Sequence, residues 1–321
     1  MPVIQAMLNA MEERVAVIGA GGHTGSFVVA ELKRRGMTPI PCGRATNLDL
    51  AFGNAHAVIN CAGPFAATAE RVIETAIRAG IPYLDVTAEI EVVRDTFATY
   101  AGASIPIVPA AAFYGGLGDL LATAALRDWP AADHLTIACA LSSWHPTPGT
   151  RATGRVSAQR RNGRRIAYTG RRLQFREGEQ PRAQWAFPAP VGTRPVTGEV
   201  AMADSATIPT HLDIPEISTY LSSNALDDLA APDSPGPVAV DESGRSAQTF
   251  LVEVVARSGG SQRRAAASGR DIYAVTAPLV VEATRRVLAG AGDTTGVASV
   301  GARFEARDFL GSLSPNHLTL G

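Results

Sequence analysis

Lysine is nearly absent: Lys33 is the only one among 29 basic residues. Schiff-base chemistry and the tyrosine–lysine pair of short-chain dehydrogenases would both have to use Lys33. Val29 stands where the tyrosine of such a pair belongs. Lys33 is followed by Arg34, Arg35 and Gly36, a run that places cations at a helix C-terminus and reads as structural. Cysteine is scarce too. Cys42, Cys61 and Cys139 show no CxxC or other metal-ligand spacing, so no metal is expected and they read as small buried hydrophobes in a reducing compartment. No apolar run is long enough to span a bilayer, and Glu12 and Glu13 stand where a signal peptide would be apolar, which predicts a cytoplasmic protein without a membrane span. The formal net charge of −1 argues against a general nucleic-acid binder.

What the chain does have is glycine in one telling place. Residues 15–25, VAVIGAGGHTG, run an apolar strand into a glycine turn that opens a helix. Gly19, Gly21, Gly22 and Gly25 allow a tight turn and close backbone approach to a pyrophosphate, with the first N–H groups of the helix, from about Thr24, aimed at the anion. The GxGxxG spacing fails because position 24 is Thr24. GxxGxxG is met by Gly19, Gly22 and Gly25. His23 is expected to touch the pyrophosphate rather than the substrate.

A second strand, Thr38 to Cys42, ends in Gly43-Arg44. An acidic side chain there would bind the ribose hydroxyls of NAD, whereas the guanidinium of Arg44 suits the 2′-phosphate of NADP. The segment from Asn47 to Asn54 is too short for a full helix and another strand. A strand from His56 to Ala62 then runs into Cys61, Ala62, Gly63 and Pro64, where Gly-Pro breaks it at the ligand-binding edge. Helix from Thr68 to Ala79, strand Ile81 to Val86, helix from Glu89 and strand Ile105 to Pro109 complete an alternation that predicts a parallel sheet.

The pieces GAGGHTG, VINCAGPF, AGIPYLDVT and IVPAAAFYGGLGDLLA resemble the saccharopine dehydrogenase-like reductases, which include saccharopine reductases and trans-acting enoyl reductases. The likeness covers roughly the first 125 residues and, more loosely, residues 271–310. It implies a Rossmann-like parallel sheet domain with an inserted, mainly antiparallel β (α+β) second domain. Residues 1–127 with about 271–321 would bind NADP (NADPH), with Thr87 among the cofactor contacts, and residues 128–270 would form a β-rich substrate and dimerisation domain. Two departures stand out: the chain between Arg44 and the CAGPF strand is short, and His23 replaces an aromatic residue common in relatives.

From Leu135 the apolar period changes to two, in runs at 135–143, 166–174, 183–187, 216–221, 248–257 and 262–268, which predicts an antiparallel sheet. Asn224 to Ser246 reads as an exposed loop and Tyr273 to Leu288 as a helix. Candidate catalytic residues are Tyr114, beyond the strand ending at Pro109, and His145, in a proline-bounded loop beside Trp144. His211 is a weaker candidate, and Asp119 reads as a cap on the next helix. Nine arginines and no acid fall between Arg151 and Arg176. They read either as solvated strand and hairpin faces or as a docking surface for an anion, such as a carboxylate, CoA or a carrier-linked substrate. The expected function is an NADPH-dependent reductase, a homodimer, acting on a C=N (imine or iminium) or conjugated C=C small-molecule substrate in biosynthesis. A non-catalytic NADP-binding redox sensor or partner protein is the alternative.

Overall fold

The computed structural model describes residues 13–292 and 295–321; the N-terminal features that bear on a signal peptide, Glu12 among them, lie outside these. The first sheet has six parallel strands: β1 (Arg14–Ile18), β2 (Thr38–Cys42), β3 (Ala57–Asn60), β4 (Tyr83–Asp85), β5 (Pro106–Val108) and a late strand at Gly296–Val297 beside β5. Its order, from one edge, is Gly296–Val297, β5, β4, β3, β1, β2. Pro39 and Pro41 sit in β2, the edge strand, where a missing N–H leaves no ladder bond unmade. Strand alternation sends Val15 and Val17 to one core and Ala16 and Ile18 to another, so both faces of the sheet are covered, as parallel sheets require.

Helices α1 (His23–Arg34), α2 (Leu48–Phe52), α3 (Phe65–Ala79) and α4 (Ile90–Tyr100) join these strands. The single turn and a half of α2 is the abbreviated connection expected between Asn47 and Asn54. Helix α3 ends at Gly80, whose φ of 68° is the left-handed conformation that closes a helix at little cost only for glycine. After β5 the chain makes an irregular turn, Phe113–Leu117, and enters α5 (Gly118–Leu126).

The second sheet follows. It contains β6 (His134–Leu141), the hairpin β7 (Arg165–Thr169) and β8 (Arg172–Arg176), β9 (Arg182–Ala186), β10 (Thr193–Gly198), β11 (Ile217–Ser222), β12 (Thr249–Ser258), β13 (Ser261–Arg270) and, at its edge, Thr319–Leu320. All its pairings are antiparallel except β6 with β11. Helix α5 packs on β12 and β13, and one apolar core runs from Val15 and Val17 through Leu120 and Leu121 to Ile137 and Val254. Each such fully buried aliphatic side chain contributes on the order of 1.5–3 kcal/mol.

Three sequence expectations need correction. The run 166–174 is two strands of a hairpin, because Gly170 and Arg171 both take positive φ and turn the chain. The first third of the arginine block is not strand but helix α6 (Pro148–Arg160): Thr147 caps it by accepting from Thr150 N at 3.0 Å, and Pro148 stands at its first position, an arrangement that starts helices. The predicted loop from Asn224 opens with helix α7 (Ser223–Ala230), whose Ala225 is fully buried. The predicted helix from Tyr273 begins slightly later, as α8 (Thr276–Leu288). It packs on α1. Between them Arg35 pairs with Glu282, which also accepts from Arg285 and Arg286; burial alone would raise the Glu282 carboxyl, but these guanidiniums hold it down at about 2.

Candidate active site

At the C-terminal edge of the parallel sheet, a cleft of about 1510 Å³ is lined by both sheets' connections. Its floor is the glycine turn. Gly19 has φ 76° and lies against Ala62, where a Cβ would come within 3.1 Å. At Gly25 a Cβ would stand 2.1 Å from the Gly19 carbonyl oxygen, which shows how closely α1 folds back on the turn. At Gly21 a Cβ would meet nothing within 4 Å.

Helix α1 carries no acidic residue in its first turn and no side-chain cap. The N–H groups of that turn have no acceptor within the helix, and they face a cleft wall formed by Gly21, Gly22, His23 and Thr24. The N-terminus of α3 opens on the same cleft but is already used: Glu89 accepts from Phe65 N at 2.6 Å and from Ala66 N at 3.0 Å. Burial raises the Glu89 carboxyl, and these two N–H bonds oppose the rise. One helix end is thus satisfied by a carboxylate and the other is left for an anion.

Above the glycine turn, the rings of His23, Tyr273, Trp144 and Tyr114 form a wall. His23 packs edge-on to Phe27 and to Tyr273, each at 5.2 Å between centroids. The Tyr273 hydroxyl accepts from Trp144 Nε1 at 3.1 Å and shares a hydrogen bond of 2.9 Å with Thr150. Trp144 lies 5.7 Å from Tyr114, centroid to centroid. The two ends of this wall are orphaned: His23 Nε2 and Tyr114 Oη are buried without a hydrogen-bond partner. Burial lowers the His23 imidazole, outweighing the attraction of Asp271, and pushes the Tyr114 phenol well above its ordinary range.

Seven arginines and two glutamates line the cleft, with Arg44, Arg71 and Arg155 among the former. Of the block from Arg151 to Arg176, Arg160 pairs with Asp95, Arg161 with Glu91, Arg165 with Glu199 and Arg171 with Asp213. Arg151 is spent on the carbonyls of Leu229, Ala231 and Ser234. The block is therefore divided: four of its nine arginines pair with acids from elsewhere in the chain, and Arg171, Arg172 and Arg176 on the hairpin are exposed. Arg44, Arg71 and Arg155 have no side-chain partner among the described residues.

Across this geometry, 75 solved chains match in structure. The apo saccharopine dehydrogenase (L-Glu forming) of Saccharomyces cerevisiae superposes with a TM-score of 0.61 at 12% identity, over 96% of this chain and 99% of that one. The fold is saccharopine dehydrogenase-like. A dipicolinate-bound dihydrodipicolinate reductase from Paenisporosarcina sp. TG-14 matches with a TM-score of 0.39 at 12% identity, over 90% of this chain and 98% of that one. No protein-family model and no curated protein matches the sequence.

Within this saccharopine dehydrogenase-like fold the expected residues divide cleanly. Gly19, Gly21, Gly22, His23, Thr24, Arg44, Cys61, Ala62, Gly63 and Tyr114 all line the cleft. Gly25 is buried beneath the turn, and Pro64 precedes the first residue of α3. Thr87 is fully buried and does not line the cleft, its hydroxyl accepting from Glu89 N at 3.0 Å. His145 is not among the lining residues; only its carbonyl approaches the wall, 3.4 Å from the Tyr273 hydroxyl. His211 lies away from the cleft, bonded at 2.6 Å to Asp119, whose other oxygen accepts from Gly301 N. Asp119 thus ties three segments together instead of capping its own helix.

Sequence reasoning missed Tyr273, Glu89 and Arg155. A signal for the first was present: Asp271 accepts from Tyr273 N and Ala274 N, both at 3.0 Å, and an aspartate favours such a turn around its own side chain. Nothing local marks Glu89, which acts on a helix 24 residues away.

Proposed function

We propose that the protein is a nicotinamide-dinucleotide-dependent reductase that takes NADPH in preference to NADH. One observation carries the reading: a single cleft joins an unsatisfied helix N-terminus on a glycine turn to a buried phenol without a partner. The residues fit the cofactor, since Gly21 leaves open space where a side chain would stand and His23 offers an orphaned nitrogen beside it. Gly21 and Thr24 would hold the pyrophosphate, Gly22, whose N–H donates to the Gly19 carbonyl at 2.9 Å, would allow its close approach, and Arg44 would hold the 2′-phosphate. When bound, the dinucleotide supplies a hydride, for a C=N or conjugated C=C acceptor.

The chain's own part is orientation and exclusion of water. Tyr273 fastens Trp144 and the start of α6 to the cleft, and Arg160 and Arg161 fasten the other end of α6 to Asp95 and Glu91 on α4. The helix so held comes against Gly63, where a Cβ would meet Thr153 Oγ1 at 2.7 Å. In this reading residues 1–127 with about 271–321 serve the cofactor and residues 128–270 the substrate, with Tyr114 rather than His145 beside the reacting group. Titration of NADPH and NADH by fluorescence tests the cofactor. Loss of NADPH absorbance with cyclic imines, opine-type adducts and enoyl thioesters tests the reaction. No binding of either dinucleotide overturns the reading, and binding without turnover of any of them favours the sensor alternative.

A further inference from the structure

The inner end of the cleft differs from its mouth. The turn carrying Tyr114 is clamped by the segment that begins at Ala203: Asp204 accepts from Gly115 N at 3.0 Å, and Thr207 donates to the Gly115 carbonyl at 3.0 Å. This brings Val200 and Met202 to the cleft wall near Tyr114. On the other side, Trp144 N donates to Asp228 at 2.8 Å, which seats α7 so that Leu226 and Leu229 also line the cleft. Tyr114, Trp144, Val200, Met202, Leu226 and Leu229 thus form an apolar chamber.

One polar atom in that chamber lacks a partner, Tyr114 Oη. A buried hydroxyl left unpaired costs about 1–3 kcal/mol, so its retention calls for a ligand atom. Arg151, on α6, is occupied by three backbone carbonyls, so it does not hold a carboxylate there. A charged group of either sign would be desolvated among Val200, Met202, Leu226 and Leu229, which costs far more than burying a neutral one. A phenol that keeps its proton donates to a neutral oxygen acceptor; an iminium N–H could instead donate to the same oxygen, but it would bring an uncompensated charge into the apolar chamber.

We propose that this chamber binds an uncharged, largely apolar molecule through a carbonyl oxygen that accepts a hydrogen bond from Tyr114 Oη. The inference rests on the cleft being the substrate site of the proposed reductase, and it narrows the acceptor to a neutral carbonyl compound.

Three probes separate the possibilities: benzylideneacetone, its acceptor-free analogue n-butylbenzene, and glutarate. A fourth, N-methyl-3,4-dihydroisoquinolinium, represents the cation. Binding is measured by calorimetry and by quenching of tryptophan fluorescence, with NADPH present and absent. Benzylideneacetone is expected to bind most tightly, and Tyr114→Phe to weaken it about five- to tenfold while leaving n-butylbenzene unchanged. The variant keeps the ring packing on Phe113 and Trp144 and loses no hydrogen bond of the protein, so its fold is retained. Leu229→Asp gives a second reading, weakening both apolar probes. Tighter binding of glutarate or the iminium overturns the proposal, as does equal loss of ketone and hydrocarbon in Tyr114→Phe. NADPH titrated alone reports on the cofactor separately: ketone binding without NADPH binding keeps the chamber and removes the reductase, and the converse keeps the cofactor site and removes the chamber.

Discussion

Two glycines of one turn should respond in opposite ways to added side chains. At Gly21 a Cβ enters open cleft, with nothing within 4 Å, and the residue's φ is not positive. Valine there should leave the melting temperature near that of the parent. Its methyl groups would occupy the space in which a pyrophosphate must approach the backbone, and the dissociation constant for NADPH should rise at least 100-fold, or about 2.8 kcal/mol at 1.4 kcal/mol per tenfold. At Gly25 a Cβ would stand 2.1 Å from the Gly19 oxygen, so the start of α1 must move away from the turn. Gly25→Ala should cost about 1–3 kcal/mol of stability, as overpacking does. Gly22 separates the effects poorly, since its Cβ would meet the same oxygen at 3.1 Å. Thermal denaturation and fluorescence titration of NADPH on both variants make the comparison. A folded Gly21→Val protein that binds NADPH like the parent would refute the assignment of this turn to the pyrophosphate.

Arg44→Ala should weaken NADPH by about 1.5–3 kcal/mol, the range of hydrogen bonds to a charged group, and leave NADH almost untouched; parallel titrations with both dinucleotides check this, and equal wild-type affinities would sink it. Burial pushes the Asp204 carboxyl up to about 7, against the Gly115 N–H that lowers it. The folded chain therefore keeps a proton that the unfolded chain releases near pH 4, so stability is greatest below that value and declines as pH rises toward about 7, by roughly 4 kcal/mol in all. Asp204→Asn should flatten that decline in denaturation curves taken across the interval, and an unchanged slope would assign it to other groups. Glu91 accepts from both Arg161 and Ser157 at 2.7 and 2.8 Å, so Glu91→Ala should leave the Arg161 guanidinium uncompensated at a cost of about 3 kcal/mol. Hydrogen exchange should then quicken across residues 148–160 first, and uniform quickening would deny that this contact fastens α6.

The parallel half of the chain was legible because its signals are local. Each strand from β1 to β5 is an apolar run closed by glycine, proline or a polar residue, and each helix between them shows its period within a dozen residues. The short connection at α2 could be anticipated from length alone. The second sheet was harder. Strands β12 and β13 were recognisable from the runs at 248–257 and 262–268, the first nearly continuous in apolar residues, whereas β10 carries Pro195 and ends in Gly198 and gives no strand signal. The arginine block misled for a related reason. Its spacing says nothing of Asp95, Glu91, Glu199 and Asp213, which lie 34 to 70 residues away and pair with four of its nine arginines.

The cleft itself shows where sequence reading stops. The floor is built from neighbours in the chain, so Gly19, Gly21, Gly22, His23 and Thr24 could be named from their spacing. The walls are assembled from segments that meet only in the folded state. Tyr273 reaches back 129 residues to Trp144, and Asp228 seats that same tryptophan from 84 residues away. Trp144 is held at both its backbone and its indole nitrogen, and the ring so fixed lies against Tyr114. His145, one residue further on, belongs to the same loop and attracted attention for its chemistry. A strand-to-loop transition determines that one of two adjacent side chains turns toward the cleft, and the hydrogen bonds to Tyr273 and Asp228 select the tryptophan. The residue type singled out His145, and the packing placed Tyr114 and Trp144 at the cleft.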